Sequence, residues 1–128
     1  MNVALITLVI DDYDAAIDFF VRVLGFELVE DTPALSRDGI AKRWVVVRPA
    51  HAETGILLAR PDGEGQISRV GDQVGDRVGF FLRVDDFDSV FERMRSCGVE
   101  FLGGPRQEAY GKVVVFVDVA GNRWDLLG

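Results

Sequence analysis

The sequence predicts an α+β fold: two tandem β-α-β-β-β modules forming a curved mixed sheet around a central cup. Three observations predict it. The phrase "LVIDDYD" at residues 8–14 returns as "LRVDDFD" at residues 82–88. Around each copy runs the same order of apolar strand, Asp cluster, helix, Gly stop and strand. The stretch before each cluster alternates with period two, whereas the stretch after it is apolar at i, i+3 and i+4. The echo is residue for residue: Asp11, Asp12 and Asp14 match Asp85, Asp86 and Asp88. After one deletion, Gly25 and Glu27 match Gly98 and Glu100.

A chain of 128 residues fits one domain and is long enough for a real core. Module one is read at 1–60, a connector at 61–75 and module two at 76–128. Strands are expected near 2–10, 26–31, 42–49 and 55–60, then near 76–84, 99–103, 111–118 and 122–127. The Asp clusters suit helix starts, where a carboxylate accepts a free first-turn N–H and complements the dipole. A calcium loop is disfavoured because the twelve-residue pattern with its Gly and terminal Glu is missing. The first helix should bury Ala16, Phe19, Phe20, Val23 and Leu24, and the second Val90, Phe91, Met94 and Cys97. Cys97 thus reads as a buried thiol. Gly25 and Gly98 supply the left-handed residue that stops each helix.

Composition excludes several functions. A net charge of −7 makes a nucleic-acid backbone a poor partner. A lone cysteine excludes an internal disulfide and a cysteine-rich zinc site. The run Val3–Ile10 is far shorter than the ~20 apolar residues a membrane span needs. It lacks a basic leader, so a cytoplasmic protein is expected. The connector "PDGEGQISRVGDQVG" has no phosphate-loop pattern.

Alternation assigns faces. Ala4, Ile6, Leu8 and Ile10, with Val78, Phe80, Leu82 and Val84, should lie under the helices. Leu5 and Thr7, with Arg77, Gly79, Phe81 and Arg83, take the opposite face. Carried onward, the parity adds Phe116, Arg123 and Asp125, and also Trp44 and Arg48 unless a bulge swaps Trp44. The cup would be lined by Leu5, Leu58, Phe81 and Phe116 with a few charges. Such a surface is concave, mostly apolar and sparsely polar, as small-molecule sites are. The competing reading fills the same face with a second subunit or with the chain's own side chains.

At this point "DDYDAAIDFFVRVLGFELVED", "DDFDSVFERMRSCGVEFL" and "VFVDVAGNRWDLLG" resemble the vicinal oxygen chelate superfamily of glyoxalases, bleomycin- and fosfomycin-resistance proteins and extradiol dioxygenases. The resemblance implies a divalent metal held by the first strand of each half, commonly through His, and the last strand, commonly through Glu. Those positions are Leu5, Gly79, Leu58 and Asp125, so three of the four lack a donor. The neighbours Ala4, Ile6, Val78 and Phe80 offer no repair by a register shift. The sole histidine, His51, lies in the "PAHAETG" loop and reads as a surface residue. No cofactor is therefore expected.

Resemblance to a subgroup adds Arg43, Gln73, Arg106 and Tyr110 as candidate site residues. Loop anchoring, with Arg106 pairing Glu108, is the rival reading. Asp125 is the sharpest candidate, because a carboxylate on an apolar face must be paired, hydrogen-bonded or shifted in pKa. Arg123 or Arg83 could pair with it; otherwise it receives a cationic ligand or acts as a base. The expected ligand-binding set is Trp44, Gln73, Phe81, Arg106, Tyr110, Phe116 and Asp125, with Asp125 and Tyr110 as catalytic candidates. The expectation is a metal-free, homodimeric binder of a small organic ligand. Its rivals are a metal-dependent lyase, isomerase or dioxygenase with atypical ligands, and a metal-independent proton-transfer enzyme.

Overall fold

A computed structural model describes residues 1–35 and 38–128. The chain divides into two compact units, Met1–Val70 and Gly71–Gly128, with the boundary inside the expected connector. The first unit runs β1 (Leu5–Val9), α1 (Tyr13–Ile17) continuing into a π-helical turn (Asp18–Val23), β2 (Glu27–Leu35), β3 (Ala41–Arg48), β4 (Gly55–Ala59) and α2 (Glu64–Ile67). The second runs β5 (Gln73–Asp76), β6 (Val78–Arg83), α3 (Phe87–Ser96), β7 (Arg106–Glu108), β8 (Gly111–Val117) and β9 (Arg123–Leu127).

Each unit holds a four-stranded mixed sheet, ordered β1-β4-β3-β2 in one and β6-β9-β8-β7 in the other. The first strand of each unit pairs in parallel with the last, and the remaining pairs are antiparallel. Two sheets of the same topology are what the doubled phrase predicts, and the fold class is α+β. Among the described residues no helix is long and apolar enough to cross a membrane.

The repeat encodes a cap and a staple. Asp12 accepts from the Ala15 amide at 2.9 Å, and Asp86 accepts from the Ser89 amide at 3.1 Å. The last Asp of each phrase binds a cation from the sheet: Asp14 meets Arg43 at 2.8 Å and Asp88 meets Lys112 at 2.8 Å. Each cation also lies over the aromatic ring that precedes that Asp, Arg43 over Tyr13 at 5.2 Å and Lys112 over Phe87 at 5.9 Å. Both helices stop at the expected glycines, Gly25 and Gly98, each with φ near 81°.

Beneath the helices, register rows carry the core. Leu8, Leu58 and Val45 form one fully buried row of the first sheet, with Ala16, Phe20 and Val23 buried on the helix. In the second unit Leu82, Leu126 and Val114 form the equivalent row, with Phe87 and Met94 on α3. The "DVAGNRW" turn is held from inside. Asp118 Oδ1 accepts the amides of Ala120, Gly121 and Asn122, each at 2.9 Å, and Oδ2 accepts Trp124 Nε1 at 2.8 Å.

Several expectations need correction. Cys97 is exposed, because α3 ends at Ser96 and Cys97 turns off the helical face at φ −84°, ψ 0°. The strand expected at 99–103 reduces to one bridge, Phe101 to Phe116. Gly103, Gly104 and Pro105 interrupt it, and pairing resumes only in β7. Residues 61–75, the connector, contain α2 and most of β5. β2 runs past its expected end through Pro33 to Leu35, which an edge strand tolerates.

Candidate functional site

Residues directly opposite across a ladder share a face, so the register settles which side chains Asp125 can meet. Asp125 on β9 lies between Phe81 on β6 and Val115 on β8. Phe81 is 60% exposed, so the face away from α3 carries an unburied aromatic ring beside a carboxylate. Arg106 joins this face through its pairing with Val113, which shares the parity of Val115.

The electrostatics around Asp125 are unbalanced. Its Oδ1 is buried and accepts no hydrogen bond from the described residues. Burial pushes its carboxyl above the usual range, and the Arg106 charge pulls it only partly back. Arg106 is divided, because its Nη1 donates to Glu108 at 3.0 Å. Arg123, an expected partner of Asp125, instead donates to the Asp76 carbonyl.

Other candidates fall in different places. Phe116 is not on this face: it pairs with Trp124, is fully buried, and stacks on that indole at 5.7 Å. The parity was carried across a loop, and the Asp118–Asn122 turn pairs Val117 with Arg123, which moves every β8 side chain by one. Val115 therefore replaces Phe116 beside Asp125. The local signal for this was the "DVAGN" turn itself. Gln73 donates its backbone amide to Asn122 Oδ1 at 3.3 Å. Tyr110 sits in the turn closing β7 onto β8 and is 59% exposed. Arg43 is committed to structure: it forks onto Asp31, reaches Asp14, and accordingly holds Asp31 below its ordinary pKa.

In the first unit, Trp44 shares the face of Val46, Leu57 and Thr7, opposite α1, as expected without a bulge. It is 41% exposed and borders a hollow of about 280 Å³ that also includes Leu57, Ala59 and Leu35. Leu58 is fully buried on the other face. Matched rows (Leu8 with Leu58, Leu82 with Leu126) make Leu57, not Leu58, the counterpart of Asp125.

Two helix-backed mixed sheets of one repeated topology define a member of the glyoxalase-type fold class. The chain belongs to the Glyoxalase/Bleomycin resistance protein/Dioxygenase superfamily, whose model matches residues 2–126. An uncharacterized protein of Shewanella frigidimarina is 46% identical over 123 residues, covering 95% of this chain and 89% of that one. Among solved structures, UcmS2 superposes with a TM-score of 0.80 at 27% identity, covering 99% of this chain and 97% of that one. TnmS3, an antibiotic binding protein from Streptomyces sp. CB03234, gives 0.77 at 29% identity, covering 99% and 94%.

The divalent metal that this family implies does not fit the residues present. Leu5, Gly79 and Leu57 offer no donor, and Asp125 is a single carboxylate. Among the described residues no three His, Cys, Asp or Glu side chains gather as a metal-holding group. At Gly79 there is also a steric reason. A bulge falls there, and an added Cβ would stand 2.4 Å from Val74 Cγ2 on β5. His51, with φ 67°, lies exposed in the turn after β3.

Proposed function

We propose that the protein is a metal-free binder of planar organic cations, using the Asp125 face of the second unit. Phe81 supplies the stacking surface, and Asp125 receives a protonated nitrogen while Arg106 stays with Glu108. The observation that carries the reading is the buried Oδ1 of Asp125, which meets no donor among the described residues, beside a largely exposed ring. A carboxylate so placed lacks the donor that would offset its desolvation, and a ligand N–H supplies one. Kinship with an antibiotic binding protein supports a ligand of drug-like size. The protein would work as a homodimer in the cytoplasm, and a 14.2 kDa monomer on a sizing column would count against the dimer.

The test titrates the protein with doxorubicin, proflavine and ethidium, three planar cations, and with the neutral aglycone of doxorubicin. At least one cation should bind, with Asp125→Asn weakening it by about tenfold, or 1.4 kcal/mol, while leaving the aglycone unchanged. Phe81→Ala should weaken both. Absence of binding by all three cations up to millimolar concentration would sink the reading. So would stoichiometric metal in the purified protein that is lost on Asp125→Ala.

A further inference from the structure

We infer that the first unit carries a separate anchor for an anionic oxygen, Arg48 on β3, with Trp44 as the platform for the aromatic body of the same ligand. Arg48 Nε is buried and finds no acceptor among the described residues. Its Nη2 lies 3.9 Å from Glu27 Oε2, an ion pair too long to be a hydrogen bond. Two other arginines of this unit, Arg22 and Arg43, are held differently. Arg22 forks onto Asp18 at 2.8 and 2.9 Å, and Arg43 forks onto Asp31 at 3.0 and 2.7 Å. An Nε–H withdrawn from water and given no acceptor is a donor held ready for one.

What surrounds Arg48 selects the ligand. Arg48, Val46 and Trp44 alternate along β3 and so share the face opposite α1. Trp44 and Arg48 are four residue steps apart on the strand, a span of roughly 13 Å at about 3.3 Å per residue. The floor between them is apolar, Val46 being buried and Leu57 its register partner. A guanidinium at one end prefers a carboxylate, which it grips through two parallel N–H bonds. An indole at the other end prefers a flat ring. The ligand class is therefore a fused-ring aromatic carboxylate. This site lies wholly within the first unit and stands or falls apart from the Asp125 reading.

The probes are 2-naphthoate and the neutral 2-naphthylmethanol, followed by ¹⁵N-resolved NMR of the Arg48 Nε–H and Trp44 Nε1–H. Naphthoate should shift both signals, and Arg48→Gln should weaken its binding about tenfold while changing that of the alcohol less than twofold. Arg48→Lys, which keeps the charge but loses the Nε donor, should fall between the two and serves if the Gln variant does not fold. Glu27→Gln should leave naphthoate binding intact or tighten it, and Asp125→Asn should not affect it. Equal naphthoate affinity in wild type and Arg48→Gln would overturn the proposal. An unmoved Arg48 Nε–H signal at millimolar naphthoate would do the same, as would loss of binding in Asp125→Asn.

Discussion

Neutralising Asp125 should make the protein more stable and less able to bind a cation. Its Oδ1 is sealed from solvent without a donor among the described residues, and an unsatisfied buried acceptor costs roughly 1–3 kcal/mol. Arg106 offsets part of this, and the rest of the side chain is only half-buried and screened, so the lower end, about 1 kcal/mol, applies. For a chain of 128 residues that is about 4 °C in Tm. The pH dependence fixes the cause. Burial raises the folded-state pKa of Asp125, so the folded chain binds more protons than the unfolded one in the window just above the ordinary carboxylate value of about 3.9. Stability therefore falls as pH rises through that window. The penalty is fully present above the folded-state pKa and absent below the unfolded value. Asp125→Asn should accordingly gain stability at pH 7 and lose that advantage near pH 3.5, where wild-type Asp125 is itself protonated (a pH set just below ~3.9). Urea denaturation of both proteins at the two pH values measures it. A variant less stable than wild type at pH 7, or a gain that does not change with pH, would refute the reasoning.

Three further outcomes are expected. Asp118→Ala should cost about 3–4 kcal/mol in urea titrations, because three backbone amides and the Trp124 indole lose their acceptor in a buried turn. Lys112→Met should cost no more than about 1 kcal/mol, since its bond to Asp88 is exposed, and a double-mutant cycle with Asp88→Ala should return a coupling of that size. Cys97 should react with Ellman's reagent in the native protein, without denaturant, because the residue is exposed at the end of α3.

The sequence by itself carried whatever is written locally. The Asp caps and the glycine stops depend on neighbours within a few residues, and each is where the residues imply it. The alternation in β1 and β6 holds only in part: Leu8, Ile10 and Leu82 are buried as expected, but Ala4 and Ile6 are exposed at the start of β1 and a bulge falls between Val78 and Phe80. Because the phrase is written twice, the repeated topology was legible as well. So was the lack of metal donors, since Leu5 and Gly79 are read at a fixed distance from their Asp clusters.

Only the tertiary structure decided matters that depend on pairing across loops. Parity cannot be carried through a turn whose length is unknown, so Phe116 and Val115 exchanged places, and Leu57 displaced Leu58 as the counterpart of Asp125. Burial is equally non-local: Cys97 continues an apolar helical pattern yet lies beyond the helix's last turn. The partners of charged groups are the clearest case. Nothing in the order of residues says that Arg123 serves a carbonyl, that Arg43 is spent on a helix start, or that Asp125 and Arg48 hold buried atoms with no hydrogen-bond partner among the described residues. A charge is satisfied by whichever group the folded chain brings within about 3 Å, and the sequence orders residues along the chain but does not set those distances.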